Sequence, residues 1–197
     1  AKDGGFLRCI ELARQKSLKK GFFGPKQFEN SWNVLAHAQN TAPELEKTLK
    51  DHKMGELDVF TCGVGTGGTI MGVYHYFSQK KDDFEAYPIL PDKNKDGKHR
   101  IEGIGDSFIP KIVDLQALRP ILRVNDSDAI NIARKINKLG LSVGISSGAN
   151  VYGAILKASK LPFDANVATV LCDDNKKYLT TDLCSESVEN CSLDIEI

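Results

Sequence analysis

Charge of one sign, paired cysteines and long apolar runs are all missing from this sequence. Lysine plus arginine number 26, as do aspartate plus glutamate, so no net field draws the chain to nucleic acid or to an anionic membrane surface. Neither partner is expected. Nowhere do about 18 apolar residues run together, the length a membrane-spanning helix needs, and the opening AKDGGFLRCIELARQ lacks the basic start and apolar stretch of a signal peptide. The 5 cysteines (Cys9, Cys62, Cys172, Cys184, Cys191) are odd in number and form no CxxC pair or zinc-type spacing with histidine. That usage excludes a stapled scaffold and fits reduced thiols in a soluble, cytoplasmic protein. Asn125 and Asn190 open glycosylation sequons, patterns short enough to arise by chance.

What is present is enough apolar material, 41% of 197 residues, for one buried core. Between residues 55 and 175, short β-rich runs alternate with stretches of helical period, the mark of crossover units and a mainly parallel sheet. Strands are expected at 57–62, 85–90, 121–124, 141–145 and 167–172, with Pro88 placing the second at an edge or in a bend. Helices are expected at 6–16, 70–79, 126–139 and 150–160. The third is capped by Asn125 or Asp126 and closed by Gly140, whereas 22–43 reads as irregular. The fold class is therefore α/β, a mostly parallel twisted sheet flanked by helices. Residues 1–184 form the domain, and 185–197, acidic and without a basic residue, form a solvated, disordered tail.

The segment TCGVGTGGTIMG (61–72) sets Gly63, Gly65, Gly67 and Gly68 between a strand and a helix. Without Cβ atoms the backbone can approach a ligand closely, and the first helical turn offers unpaired N–H groups to an anion. Thr66 and Thr69 add hydroxyl donors. A monophosphate fits, yet Gly63, Gly65 and Gly68 also satisfy the GxGxxG of dinucleotide sites, and Asp92 stands roughly 20 residues on, where a ribose carboxylate belongs. A tight turn with no ligand is the third reading, and the loop alone leaves all three open. A second constellation, GISSGAN (144–150), again joins a strand to a helix. Ser146 there could face the same crevice as Thr66 and donate to a neutral ring nitrogen, while Ser147 could simply cap the helix.

Five motifs in order, PKQFENSWN (25–33), GVGTGGTIMG (63–72), RIEGIGDSFIP (100–110), GISSGAN (144–150) and KYLTTDL (177–183), closely resemble the cysteine synthase (O-acetylserine sulfhydrylase) and cystathionine β-synthase family of pyridoxal-phosphate enzymes. The resemblance reaches to about Leu183. It implies the larger domain of fold type II and pyridoxal 5'-phosphate as cofactor. The cofactor's phosphate would be gripped by Gly65, Thr66, Gly67, Gly68 and Thr69, and its pyridine nitrogen bonded by Ser146. Gln27 is implied near the substrate carboxylate and Gly103 against the amino-acid intermediate. The implied reaction is β-replacement on O-acetylserine or serine, in sulfur metabolism and amino-acid biosynthesis. A hydroxyl partner leaves the ring nitrogen unprotonated, a mild electron sink suited to that chemistry.

The resemblance also exposes departures. The family's Schiff-base lysine and its TSGNTG-like carboxylate loop do not occur in these residues, and Lys26 and Lys98 fall where the family does not face its cofactor. The expectation is a truncated, C-terminal portion with no catalytic lysine, inactive alone. The alternative is a non-catalytic paralogue acting as a binding or regulatory module. Cys172 replaces a family proline near the ring nitrogen. Family members are generally homodimers acting on small amino acids. The terminal LDIEI resembles the acidic, isoleucine-ended tail with which serine acetyltransferase enters the active site of that family.

Overall fold

The computed structural model describes residues 5–93, 97–105 and 108–185. The acidic tail from residue 186 onward and Cys191 lie outside the described residues. The elements in order are α1 (Gly5–Ser17), α2 (Ser31–Ala36), a π-helical stretch (His37–Thr41), α3 (Ala42–Asp51), β1 (Val59–Gly63), α4 (Gly68–Phe77), β2 (Glu85–Pro91), β3 (Leu122–Val124), α5 (Asp126–Lys138), α6 (Ile145–Ala158), β4 (Val167–Ala168) and a 3-10 turn (Asn175–Tyr178).

The strands form one sheet in the order β3-β2-β1-β4, and every pairing is parallel. Alternation along the strands divides the core into two layers. Phe60, Cys62 and Ala86 pack with Ile70, Val73 and Phe77 of α4 and with Leu49 of α3. On the opposite face Ile89 and Val124 pack with Ile132 and Ala133 of α5 and Ala149 and Tyr152 of α6. Helices thus cover both faces, and the carboxyl ends of the strands are left to carry a site.

Several expectations need correction. Residues 141–145 are not a strand: Val143 N–H donates to Asn137 Oδ1 at 2.7 Å and Gly144 N–H to the Asp173 carbonyl at 3.0 Å, side-chain and loop bonds in place of a ladder. Ile145 instead begins α6, five residues before the expected start. The strand expected over 167–172 pairs only at Val167 and Ala168. Pro88 lies in an inner strand and not an edge one, and it is tolerated because β3 begins pairing with β2 only at Ile89. Residues 31–43 are helical where an irregular segment was expected, and α3 runs on to Asp51. Pro43 sits in the first turn of α3, where a missing N–H costs nothing. The α5 caps agree with the sequence: Asn125 accepts from Asp128 N, and Gly140 has φ +92°.

Candidate functional site

β1 ends at Gly63, and the chain turns through Val64–Gly67 into α4. Gly67 takes φ +86°, the left-handed region that favours glycine. A Cβ at Gly65 would collide with the Gly103 carbonyl oxygen, one at Gly67 with Val113, and one at Gly68 with the Asn33 carboxamide. The loop is therefore held from three sides. Thr66 Oγ1 accepts from Asn33 Nδ2 at 2.9 Å and from the Gly68 N–H at 3.3 Å. No hydrogen bond among the described residues takes the N–H of Gly65, Thr66, Gly67 or Thr69. Four amides thus remain at the positive end of a ten-residue helix.

Two of these residues, Gly65 and Thr66, border a cleft of about 400 Å³ lined also by Gln27, Phe28, Lys98, His99, Glu102 and Gly103, among others. The cleft unites four of the residues expected from the sequence: Gln27, Gly65, Thr66 and Gly103. Gly67 and Gly68 lie buried beneath them. The Thr69 hydroxyl is 3.2 Å from His37 Nε2, whose Nδ1 is 2.9 Å from Thr41 Oγ1. Burial holds the His37 imidazole below its ordinary pKa, favouring the neutral ring beside the amides. Phe28 is clasped edge-on by Phe6 and Phe108, with centroids 5.8 and 5.1 Å away, and so shields the cleft on the Gln27 side. A second, more apolar groove under α1 shares Phe6, Gln27 and Phe28 but none of the amides.

Ser146 does not line that cleft. It sits in the first turn of α6, 4% exposed, at the same end of the sheet. Asn150, one turn on and fully buried, ties the two regions together. Its Oδ1 accepts from Gly63 N at 2.7 Å, while Nδ2 donates to the Val170 carbonyl at 2.9 Å and to Cys172 Sγ at 3.3 Å. Ser147 does not cap α6; its Oγ accepts from Cys172 N at 2.8 Å. Burial pushes the Cys172 thiol upward, against the pull of the neighbouring Ser146 hydroxyl. The residue nonetheless keeps an exposed side. Lys98 lines the cleft, contrary to the expectation that its segment faces away.

Sequence reasoning missed Asn33, His37 and Asn150 as supports of the loop. Asn33 and Asn150 end two of the quoted motifs, and that was the available signal; His37 gave none. The donor set suits a phosphomonoester: free amides, a helix N-terminus, hydroxyls, and a cradle that any Cβ would fill. A dinucleotide reading requires a ribose carboxylate, and Asp92 is not among the residues lining the cleft.

Residues 2–173 match the family model described as pyridoxal-phosphate dependent enzyme. The chain belongs to that family. Within it, the chain is 42% identical over 167 residues to cysteine synthase B of Campylobacter jejuni, covering 82% of this chain and 54% of the relative. A hydrogen sulfide-producing enzyme of Fusobacterium nucleatum superposes with a TM-score of 0.87 at 41% identity, covering 95% of this chain and 59% of that one. An O-acetylserine dependent cystathionine β-synthase of Helicobacter pylori gives 0.78 at 30%, covering 91% and 58%. The chain is thus a member of the fold-type II cysteine synthase group, whose cofactor is pyridoxal phosphate, and it spans somewhat over half the length of these relatives. Among the described residues no helix is long and apolar enough to cross a membrane.

Proposed function

We propose that these residues form the cofactor-holding part of a cysteine-synthase-type enzyme that replaces the β-substituent of O-acetylserine or serine with a sulfur nucleophile. The observation that carries this reading is the set of four uncommitted amides at Gly65, Thr66, Gly67 and Thr69, of which Gly65 and Thr66 line a cleft that also holds Gln27 and Gly103. The amides take the phosphate, with the α4 dipole behind them. Gln27 and the Gly103 backbone face the amino acid, and Phe28 with its aromatic neighbours limits water. Ser146 serves as a neutral donor to the ring nitrogen. Pyridoxal phosphate, when bound, supplies the electron sink for loss of the β-substituent.

Among the described residues the lysine lining the cleft is Lys98, while Lys26 and Lys111 line the neighbouring groove. We read none of them as the amine that carries the cofactor aldehyde. The 197 residues by themselves then bind the cofactor without a covalent bond and turn over little. Borohydride treatment in the presence of pyridoxal phosphate tests this, since a reduced adduct on Lys98 would contradict it. For the reaction itself, the intact protein is supplied with O-acetylserine and sulfide, or with serine and a thiol, and cysteine or thioether formation is followed. Failure of pyridoxal phosphate to bind at all would remove the reading. Assembly as a homodimer, and entry of the acidic tail into a neighbouring active site, are further proposals. Sedimentation and titration of a peptide of residues 188–197 test them separately.

A further inference from the structure

KYLTTDL (177–183) is one of the five motifs, yet among the described residues none of it lines the cleft. It meets the cleft's wall from behind. Tyr178 and Leu183 are buried in the core beside α5. Arg134 of α5 ties the segment down further: its Nε donates to the Leu183 carbonyl at 3.3 Å, and its Nη2 to the carbonyls of Asp182 and Ser185, the latter at 2.9 Å. With its backbone so held, Asp182 turns its carboxylate to the guanidinium of Arg100, pairing with Nη1. Arg100 belongs to the stretch in which Lys98, His99, Glu102 and Gly103 line the cleft. Residues 97–105 form no strand or helix, so contacts at a few points fix their place. At one end the Gly105 N–H donates to the Val64 carbonyl at 3.0 Å, beside the anion loop. Between the ends Ile101 and Ile104 are buried in the core. At the other end Arg100 is held twice by Asp126, the first residue of α5: its main-chain N–H donates to Oδ1 at 2.8 Å and its Nε to Oδ2 at 3.4 Å.

We infer that Arg100 is a positioning residue for the amino-acid substrate: braced by Asp126 and Asp182, it holds the wall that carries Gly103 at the distance the substrate needs. This rests on the reading of Gly103 as facing the amino acid. A lone ion pair at the surface contributes little, and the side chains of Arg100 and Asp182 are 46% and 50% exposed. Two features set this arrangement apart from a lone pair. Asp126, only 20% exposed, receives the backbone and the guanidinium of Arg100 together. The guanidinium in turn joins carboxylates from two separate segments, and its planar fork keeps the geometry of both. Such a brace supplies position more than stability, and a small misplacement of a substrate-facing wall is costly to the reaction. The anion loop has its own supports, Asn33 on Thr66 and Asn150 on Gly63, so the cofactor's phosphate does not depend on Arg100.

The test is a mutant cycle on the intact protein, with Arg100→Ala, Arg100→Lys, Asp182→Ala and Arg100→Ala/Asp182→Ala. Three readouts are taken: hydrogen exchange of the amides of residues 97–105, the dissociation constant of pyridoxal phosphate from fluorescence titration, and kcat and KM for O-acetylserine with sulfide. Arg100→Ala keeps the main-chain bond to Asp126 and loses the guanidinium. It is expected to speed exchange in 97–105 about threefold to tenfold and to raise KM by a similar factor, with kcat and the cofactor's dissociation constant within about twofold of the parent. Arg100→Lys, which restores the charge without the fork, recovers part of both losses. Asp182→Ala costs about twofold to threefold alone and nothing further in the Arg100→Ala background. Exchange and KM both at parent values in Arg100→Ala overturn the assignment of Arg100 alone. So does a loss of cofactor affinity as large as the rise in KM, or an undiminished effect of Asp182→Ala in the Arg100→Ala background. Faster exchange with an unchanged KM overturns the reading of Gly103 as facing the amino acid, and the role of Arg100 falls with it.

Discussion

Replacing Asn150 with alanine should break the joint between the anion loop and α6. The side chain is fully buried and bonds two backbone groups far apart in the chain, Gly63 N at the end of β1 at 2.7 Å and the Val170 carbonyl, just past β4, at 2.9 Å. Alanine leaves both without a partner. A stranded buried backbone group costs about 1–3 kcal/mol, and Gly63, being partly reachable by water, falls toward the lower end. The sum is about 2–4 kcal/mol. For a chain of this size each kcal/mol shifts Tm by about 2–4 °C, so a drop of roughly 4–16 °C is expected. Urea unfolding of the intact protein, with Asn40→Ala as control, measures it. Asn40 is exposed and bonds only the carbonyl one turn back, so its loss should stay within about 0.5 kcal/mol. Because Gly63 lies two residues before Gly65, cofactor affinity should fall together with stability. An Asn150→Ala variant no less stable than Asn40→Ala would refute the claim that this carboxamide holds the two motifs in register.

Two further outcomes are expected. Gly67→Ala puts a Cβ into Val113 at φ +86°, which should cost about 1–2 kcal/mol from backbone strain alone and lower affinity for pyridoxal phosphate at least about tenfold as the amides shift. Circular dichroism and cofactor titration measure the two effects. His37 is held below its ordinary value of 6.5 by burial, so the unfolded chain binds its proton first. Its contribution to stability is full above pH 6.5 and is lost as pH falls through the lower folded value. Denaturation from pH 7 to 5 should show a slope that His37→Gln reduces, and an unchanged slope would contradict it.

The parts of the fold that could be read from residues were those governed by local chemistry. Asn125 and Gly140 bound α5 because a carboxamide and a left-handed glycine do the same work in any context. The glycine cluster announced its loop for the same reason. Leu141, Val143 and Ile145 alternate as a strand does, yet Leu141 is 57% exposed and the segment serves as the entry to α6, so tertiary bonds from Asn137 and Asp173 decided against the pattern. Pro43 ends the stretch that read as irregular, yet the first turn of a helix accepts proline. At the site, the motifs named Gln27, Gly65, Thr66 and Gly103 among the residues that line the cleft, but gave no role to Asn150 or His37. Those act through contacts to residues 87 and 32 positions away, distances no local pattern encodes.

The central claim is that backbone amides of Gly65, Thr66, Gly67 and Thr69 hold the cofactor's phosphate. A crystal structure of the intact protein with pyridoxal phosphate tests it most directly. Phosphate oxygens within hydrogen-bond distance of those amides, with the ring extending toward Ser146, is the predicted result. A phosphate bound elsewhere, with the amides turned to water, would contradict it.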